Sequence, residues 1–361
     1  MENVQIQLLE LSNANSGDEC ALLALRDHDD RFGLGEITFP AGVTGVSALE
    51  LVRAGAARLA DTDLRNINVA LDAVSSVTDK DTTVGPRVRA AFDSAIYDLN
   101  GKLRGCPVHM MLGGSYRHEV ALSQRIPNGA RVPLSHETAG AVLLEYRREP
   151  SRQAASHGPA SAVGWLEAAI AQLGAGVQVD IGADGLFDNP ALARTFVEGL
   201  LKAGPRLNIG LVQPLDDADL VGHATLCATL PIPIILDSSV RSAKVMGQIV
   251  RLAAADRIVL NVDRVGGLRA AMQVVSIAES ASIGISSASL ARTAVGAAVA
   301  LHLAAVLHDT FPARLDHLEA DKDEVATAGF TIAAGLARVT VAPGLGVVLK
   351  DDAVARFQNV G

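Results

Sequence analysis

Four short apolar runs in the second half of the chain reach residues where chemistry would be expected. "VQVD" ends at Asp180, "IGLV" at Val212, "IIL" meets Asp237 and Ser238, and "IVLN" ends at Asn261. Asp180 and Asp237 are carboxylates of the kind that hold a hard cation such as Mg²⁺, which takes oxygen ligands. The plainer reading is a pair of carboxylates hydrogen-bonded in a polar pocket. Between them, in "LVQPLDD" (211–217), Val212 offers no ligand atom and Gln213 offers an amide. "DIGADGLFD" spaces Asp180, Asp184 and Asp188 without the alternate-residue pattern or closing Glu of a calcium loop, so it reads as a strand end and a polar loop.

Proton shuttles are sought among the histidines. His157 and His317 lie in segments that could reach the same place, His136 looks like a surface residue at a helix start, and His302 sits in an apolar helix as a core histidine. Ser286, Ser287 and Ser289 end another apolar run and could contact a ligand, without the spacing of a Ser/His/Asp triad. Asp263 and Arg264 follow Asn261, either as ligand contacts or as a surface pair. The glycines of "VGGLRAA" (265–271) and "APGLGV" (342–347) could expose amides to an anion, but tight helix entry and a turn are the commoner uses.

These residues need a scaffold that brings strand ends together. Residues 3–11 and "ALLALRDHDDRFGLGEI" read as a three-stranded meander, and helical spacing recurs over 46–59 and 87–103. From about residue 119 short apolar strands alternate with amphipathic helices: Val120–Ser123, Val177–Asp180, Ile209–Val212, Ile234–Asp237, Ile258–Asn261 and Ile283–Ser286. That alternation is the pattern of a parallel sheet built from βα units. "RREPSRQAASHGPA" (147–160) has no β-branched residue where a second strand belongs, so that unit is expected to be irregular. The expected division is an α+β domain over 1–118, a barrel over 119–332 and a C-terminal segment over 333–361 that packs back on the first domain.

The chain has 361 residues, which suits a barrel of about 250 residues with a smaller partner. Forty acidic against 31 basic side chains give a formal charge of −9, which disfavours nucleic acid and anionic membranes as partners. The longest apolar run, 293–307, is too short to span a bilayer, and "MENVQIQLLE" lacks the apolar stretch of a signal peptide. Cys20, Cys106 and Cys227 are widely spaced and odd in number, as in a reducing, cytoplasmic compartment. With 49% hydrophobic residues and a mean hydropathy of +0.27, a homo-oligomer is expected.

"AAFDSAIYDLNGKLRGCPVHMMLGG" (90–114), "VQPL", "PIPIILDSS", "NVDRVGGLRAAMQVVSIAESASIGI" and "APGLGVVL" together resemble the enolase superfamily, in its muconate-lactonizing and mandelate-racemase-related branch. The resemblance spans nearly the whole chain. It implies an α/β fold, a modified (β/α)7β TIM-type barrel with an N-terminal α+β capping domain. It also implies carboxylates ending the third, fourth and fifth barrel strands that bind Mg²⁺, with lysines on the second and sixth as acid and base. Asp180 and Asp237 fall on the third- and fifth-strand ligands, while Val212 stands where the fourth-strand Glu belongs. Ser238 replaces a frequent Glu, Asn261 replaces the sixth-strand lysine, and no Lys occurs between Lys102 and Lys202. Asn does not exchange protons at neutral pH, and guanidinium groups stay charged.

The sequence therefore points first to a diverged muconate cycloisomerase-like protein acting on a small organic acid, by isomerase- or lyase-type chemistry, with no cofactor. Asp237, Asn261, His157 and His317 are its candidate catalytic groups, and Gln213, Ser238, Asp263, Ser286 and Ser287 its candidate substrate contacts. A catalytically silent barrel binding a ligand or partner is the alternative. A third reading is a Mg²⁺ enzyme with substituted ligands, in which Asp180 and Asp237 hold the ion.

Overall fold

The computed structural model describes residues 5–12, 19–39, 45–79, 83–127, 130, 141–145, 159–173, 177–203, 208–308, 310–315, 323 and 325–360. The N-terminal part is a cap. β1 (Gln5–Ser12), β2 (Glu19–Arg26) and β3 (Phe32–Thr38) form the expected antiparallel meander, turning at residues 27–31. α1 (Gly45–Leu59), α2 (Ile67–Thr78) and α3 (Gly85–Arg104) cover it and enclose Leu23, Leu25, Val52, Leu71, Val74, Phe92, Ile96 and Leu99. Gly33 and Gly35 let β3 lie directly on α3, since a Cβ at either would strike the backbone carbonyl of Ala95 or Ala91.

α4 (Val108–Met111) and β4 (Glu119–Ala121) lead into the barrel. Its parallel strands are β5 (Gln124–Ile126), β6 (Ala141–Glu145), β7 (Gln178–Gly182), β8 (Ile209–Val212), β9 (Ile234–Leu236), β10 (Arg257–Asn261), β11 (Gly284–Ser289) and β12 (Thr310–Leu315), in that spatial order. A bridge between Leu122 and Ala313 brings the first and last strands together, so the sheet is nearly closed. The expected strand over Val120–Ser123 is divided: β4 leaves the barrel to pair with the C-terminal segment, and β5 starts it. The second barrel strand is β6, ahead of the stretch where it was sought. "AVLLE" has one β-branched residue and so a weak strand pattern, yet its first four residues are buried, as in a parallel strand covered on both faces. Residues 147–158 lie outside the described residues.

Around the strands run α5 (Pro159–Leu173), α6 (Pro190–Ala203), α7 (Leu220–Thr229), α8 (Ala243–Leu252), α9 (Val262–Val265), α10 (Leu268–Ser280) and α11 (Ala294–Val306). Every residue of α11 is buried, because the cap and tail cover the side that the barrel does not. The tail comprises β13 (Ala326–Thr327), β14 (Thr331–Ala333), β15 (Leu336–Arg338), β16 (Val348–Leu349), α12 (Asp351–Val354) and β17 (Gln358–Asn359). β15 pairs with β4, and β17 pairs with β1 at the edge of the cap sheet. Among the described residues no helix is long and apolar enough to cross a membrane.

Three buried carboxylates fasten the cap over the rest. Glu36 of β3 accepts the amides of Arg292, Thr293 and Gly296 and the Thr293 hydroxyl, and so caps α11. Asp93 of α3 accepts the amides of Leu268 and Arg269 at the start of α10. The anion that the glycines of "VGGLRAA" could hold is thus supplied by the chain itself. Asp98 accepts the amides of Leu34 and Leu345 and the Lys102 ammonium. "APGLGV" is accordingly a turn pinned to α3.

Candidate active site at the barrel mouth

Parallel pairing aligns the inward side chains in tilted rows. Arg125, Leu143, Asp180 and Gly210 are lateral neighbours, as are Glu145, Gly182, Val212, Ile235, Arg257 and Gly284. Leu143, Val212, Ile235, Val259 and Ala288 pack together as a separate apolar cluster of the interior. Val212 is 3% exposed. The position that ends β8 is therefore an apolar contact.

Asp180 sits in the same interior, held by two arginines from across the barrel. Arg257 Nη2 donates to Asp180 Oδ1 at 2.6 Å and Arg314 Nη2 to Oδ2 at 2.9 Å, while Gln178 Nε2 approaches Oδ1 at 3.3 Å. All three charged side chains are less than 10% exposed. The Arg257 guanidinium also stacks on Phe311, 4.4 Å from the ring centre. Gly210 makes room for this arrangement, since a Cβ there would meet Arg257, Ile235 and Asp180. The arginines carried no sequence signal beyond position: each is a charged residue within an otherwise apolar strand, "RIVLN" and "TFPARL". Their partner follows only from register across the barrel.

The mouth is organised by Arg264. Asn261 closes β10 and caps α9, its Oδ1 accepting the Arg264 amide at 3.1 Å. The Arg264 guanidinium then donates to the Asp237 carbonyl at 2.8 Å and to its Oδ1 at 2.5 Å. Asp237 is one-third exposed, so its carboxylate faces both the arginine and solvent. Asn261, Arg264 and Asp237 thus form a chain of contacts linking the ends of the fifth and sixth barrel strands.

Other expected site residues serve the frame. Gln213, held at φ 43°, donates to Leu215 O and Ser239 Oγ and accepts the amides of Asp237 and Ser239. Its amide is committed to joining β8 to β9. Ser287 turns away from the interior and donates to Ala300 O of α11. Ser286 is buried in register with Val259, and Ser238 is partly buried beside Asp237. Asp263 is no surface residue: it is 6% exposed, accepts the Leu290 amide, and has its pKa raised by burial against the opposing pull of Arg87. His136, His157 and His317 lie outside the described residues. His302 is a core histidine, completely buried beside His109, with 3.0 Å between their Nδ1 atoms and a pKa lowered to about 3 by burial.

Among the described residues one group of three His/Cys/Asp/Glu side chains has ligand atoms close enough to share an ion: Asp27, His28 and Asp29. It lies on the β2–β3 turn, where Arg31 already pairs with both aspartates.

The sequence profile of the family described as "Enolase C-terminal domain-like" matches residues 151–353. Muconate cycloisomerase 1 of Rhodococcus opacus is 29% identical over 271 residues, 74% of this chain and 70% of that protein. N-succinyl-L-Arg/Lys racemase of Bacillus cereus is 25% identical over 222 residues, 61% of this chain and 58% of the relative. A solved muconate cycloisomerase variant superposes with a TM-score of 0.85 at 21% identity, over 99% of both chains. Cap, barrel and sequence profile agree, and the chain belongs to the enolase superfamily, in its enolase C-terminal domain-like family.

Proposed function

We propose that this chain is an isomerase-type enzyme acting on a small organic acid, in which arginines take over the electrostatic role of a divalent cation. One observation carries the reading: each of the two aspartates on expected metal-ligand positions is paired with arginine, Asp180 with Arg257 and Arg314, and Asp237 with Arg264. The residues do not fit a divalent ion. Both oxygens of Asp180 already accept from guanidinium groups, and the side chain between the aspartates is the apolar Val212. No step is therefore routed through a metal. The relatives are named as muconate cycloisomerases, racemases and epimerases, which supports isomerase or lyase chemistry next to a carboxylate. Within the described mouth, Asp237 is the partly exposed carboxylate able to exchange a proton, with Arg264 beside it as the positive charge that steadies a developing anion.

Solvent deuterium exchange into muconolactone, N-succinylamino acids, dipeptides and simple 2-substituted acids tests this. Exchange by the wild-type chain that persists after chelation and is lost in Asp237→Ala is the expected result. Equal silence of both proteins across the panel would remove the enzymatic reading. Val212→Glu is expected not to create metal-dependent exchange, since no lysine accompanies it; exchange that appears with added Mg²⁺ would contradict the proposal.

The apolar cluster around Val212 favours a second reading, a silent barrel that binds a ligand. Saturable stabilisation by an organic acid, with no exchange of its protons, is its signature. Self-association is proposed too. Val341 and Val348 of the tail are 73% and 66% exposed, and light scattering of the eluted protein gives the subunit number.

A further inference from the structure

We propose that Arg257 and Arg314 form an anion site inside the barrel, and that it takes the carboxylate group of a small organic acid. The proposal rests on the reading that the ligand is such an acid, and it adds the groups that hold it.

Among the described residues the charges of the interior do not balance. Arg125 is matched by Glu145 at 2.6 Å. Among the described residues Asp180 alone faces both Arg257 and Arg314, each of which gives it one hydrogen bond and is less than 10% exposed. The nearby acids at the mouth are committed elsewhere, Asp237 to Arg264 and Asp263 to Arg87 and Arg264. A guanidinium does not lose its proton at physiological pH, so one positive charge is left in a poorly solvated interior. An uncompensated buried charge is strongly unfavourable, and a monovalent anion would offset it. A second observation points the same way. Arg257 Nε is buried and has no hydrogen-bond partner among the described residues. Phe311 covers a flat face of that guanidinium, so Nε finds no partner there.

The geometry selects the ligand class. Guanidinium edges present parallel N–H donors that match the two oxygens of a carboxylate. A phosphate or other dianion would overshoot the single unmatched charge. Asp180 would then lie beside the bound carboxylate, separated from it by the two arginines it positions.

The test uses the full chain in a chloride-free sulfonate buffer at constant ionic strength, with thermal unfolding followed as formate, acetate, propionate or chloride is added. A saturable rise of about 2–4 °C with the carboxylates is expected. Arg257→Met leaves one arginine for one aspartate, so it is expected to unfold no earlier than wild type without anion, and to show no saturable response. Arg257→Lys, which keeps the charge, is expected to retain a weakened response. No saturable shift in wild type, an equal shift in Arg257→Met, or a response to chloride alone would each overturn the proposal. Deuterium exchange is scored separately. Anion binding without exchange defeats the enzymatic reading only, and exchange without anion binding defeats this site only.

Discussion

Where the cap meets the barrel, Glu36 and Asp93 are buried against backbone amides at helix starts, whereas in the barrel interior Asp180 is buried against two guanidinium groups. Both arrangements satisfy a carboxylate away from water, but they differ in what supplies the partner. Amides at a helix start come with the fold, and whatever side chains surround them they remain donors. Guanidinium groups are particular residues at particular positions. The junction is therefore tied to the topology that this chain shares with its structural neighbours, and the interior is the part whose chemistry can change without moving a strand.

The sharpest break in that contrast is expected from Asp180→Ala. It would leave two buried guanidinium groups with no carboxylate, at a cost of about 3–5 kcal/mol in denaturant unfolding. A loss below about 1 kcal/mol would mean that the arginines find another partner, and the contrast would fail.

pH separates the junction's own groups. His302 is held neutral, with a folded pKa of about 3 against an ordinary 6.5, because burial outweighs all else. The unfolded chain binds the proton first. The stability from His302 is whole above pH 6.5 and is lost as pH falls, by up to about 1.4 kcal/mol per unit. Wild type should lose stability from pH 6.5 to 5 more steeply than His302→Phe. Glu36 works in the opposite sense. Burial raises its pKa to about 7, opposed by its hydrogen bonds to Arg292 and Thr293. Its contribution is present below the unfolded pKa near 4.5 and is lost as pH rises through 7. Glu36→Gln is therefore expected to be less stable than wild type by about 1–2 kcal/mol at pH 5, and the gap should narrow by pH 8. A constant gap would mean that the carboxyl group is ionised throughout.

The smallest effect is expected from Asn261→Ala, about 1 kcal/mol from a lost helix cap. A larger loss, with altered thermal response to organic acids, would show that Asn261 acts through Arg264 on the mouth.

The barrel strands at 209–212, 234–236 and 257–261 were legible because their apolar runs are bounded by polar turns. β6 was hidden because alanine and leucine carry little strand preference, and its place is decided by burial on both faces. In the candidate site, Asp180, Asp237, Val212 and Asn261 could be singled out from their positions at strand ends. What they do could not. Arg314 is 134 residues from Asp180, and only the curvature of the sheet brings them together. Gln213 looked like a ligand contact because amides often are; its unusual backbone angle turns it toward the next strand. Glu36 and Asp93 gave no motif, since a residue that caps a distant helix has no local pattern.

β17 lies at residues 358–359 and completes the cap sheet beside residues 7 and 8 of β1. During vectorial synthesis on the ribosome, the outer edge of β1 must wait for some 350 residues before its partner exists. The cap can gather its helices early, but its sheet edge stays open until the barrel has been made. Such an edge is a template for pairing with another chain. A nascent chain of this protein therefore has most need of chaperone cover at its first strand, far from the barrel that carries its chemistry.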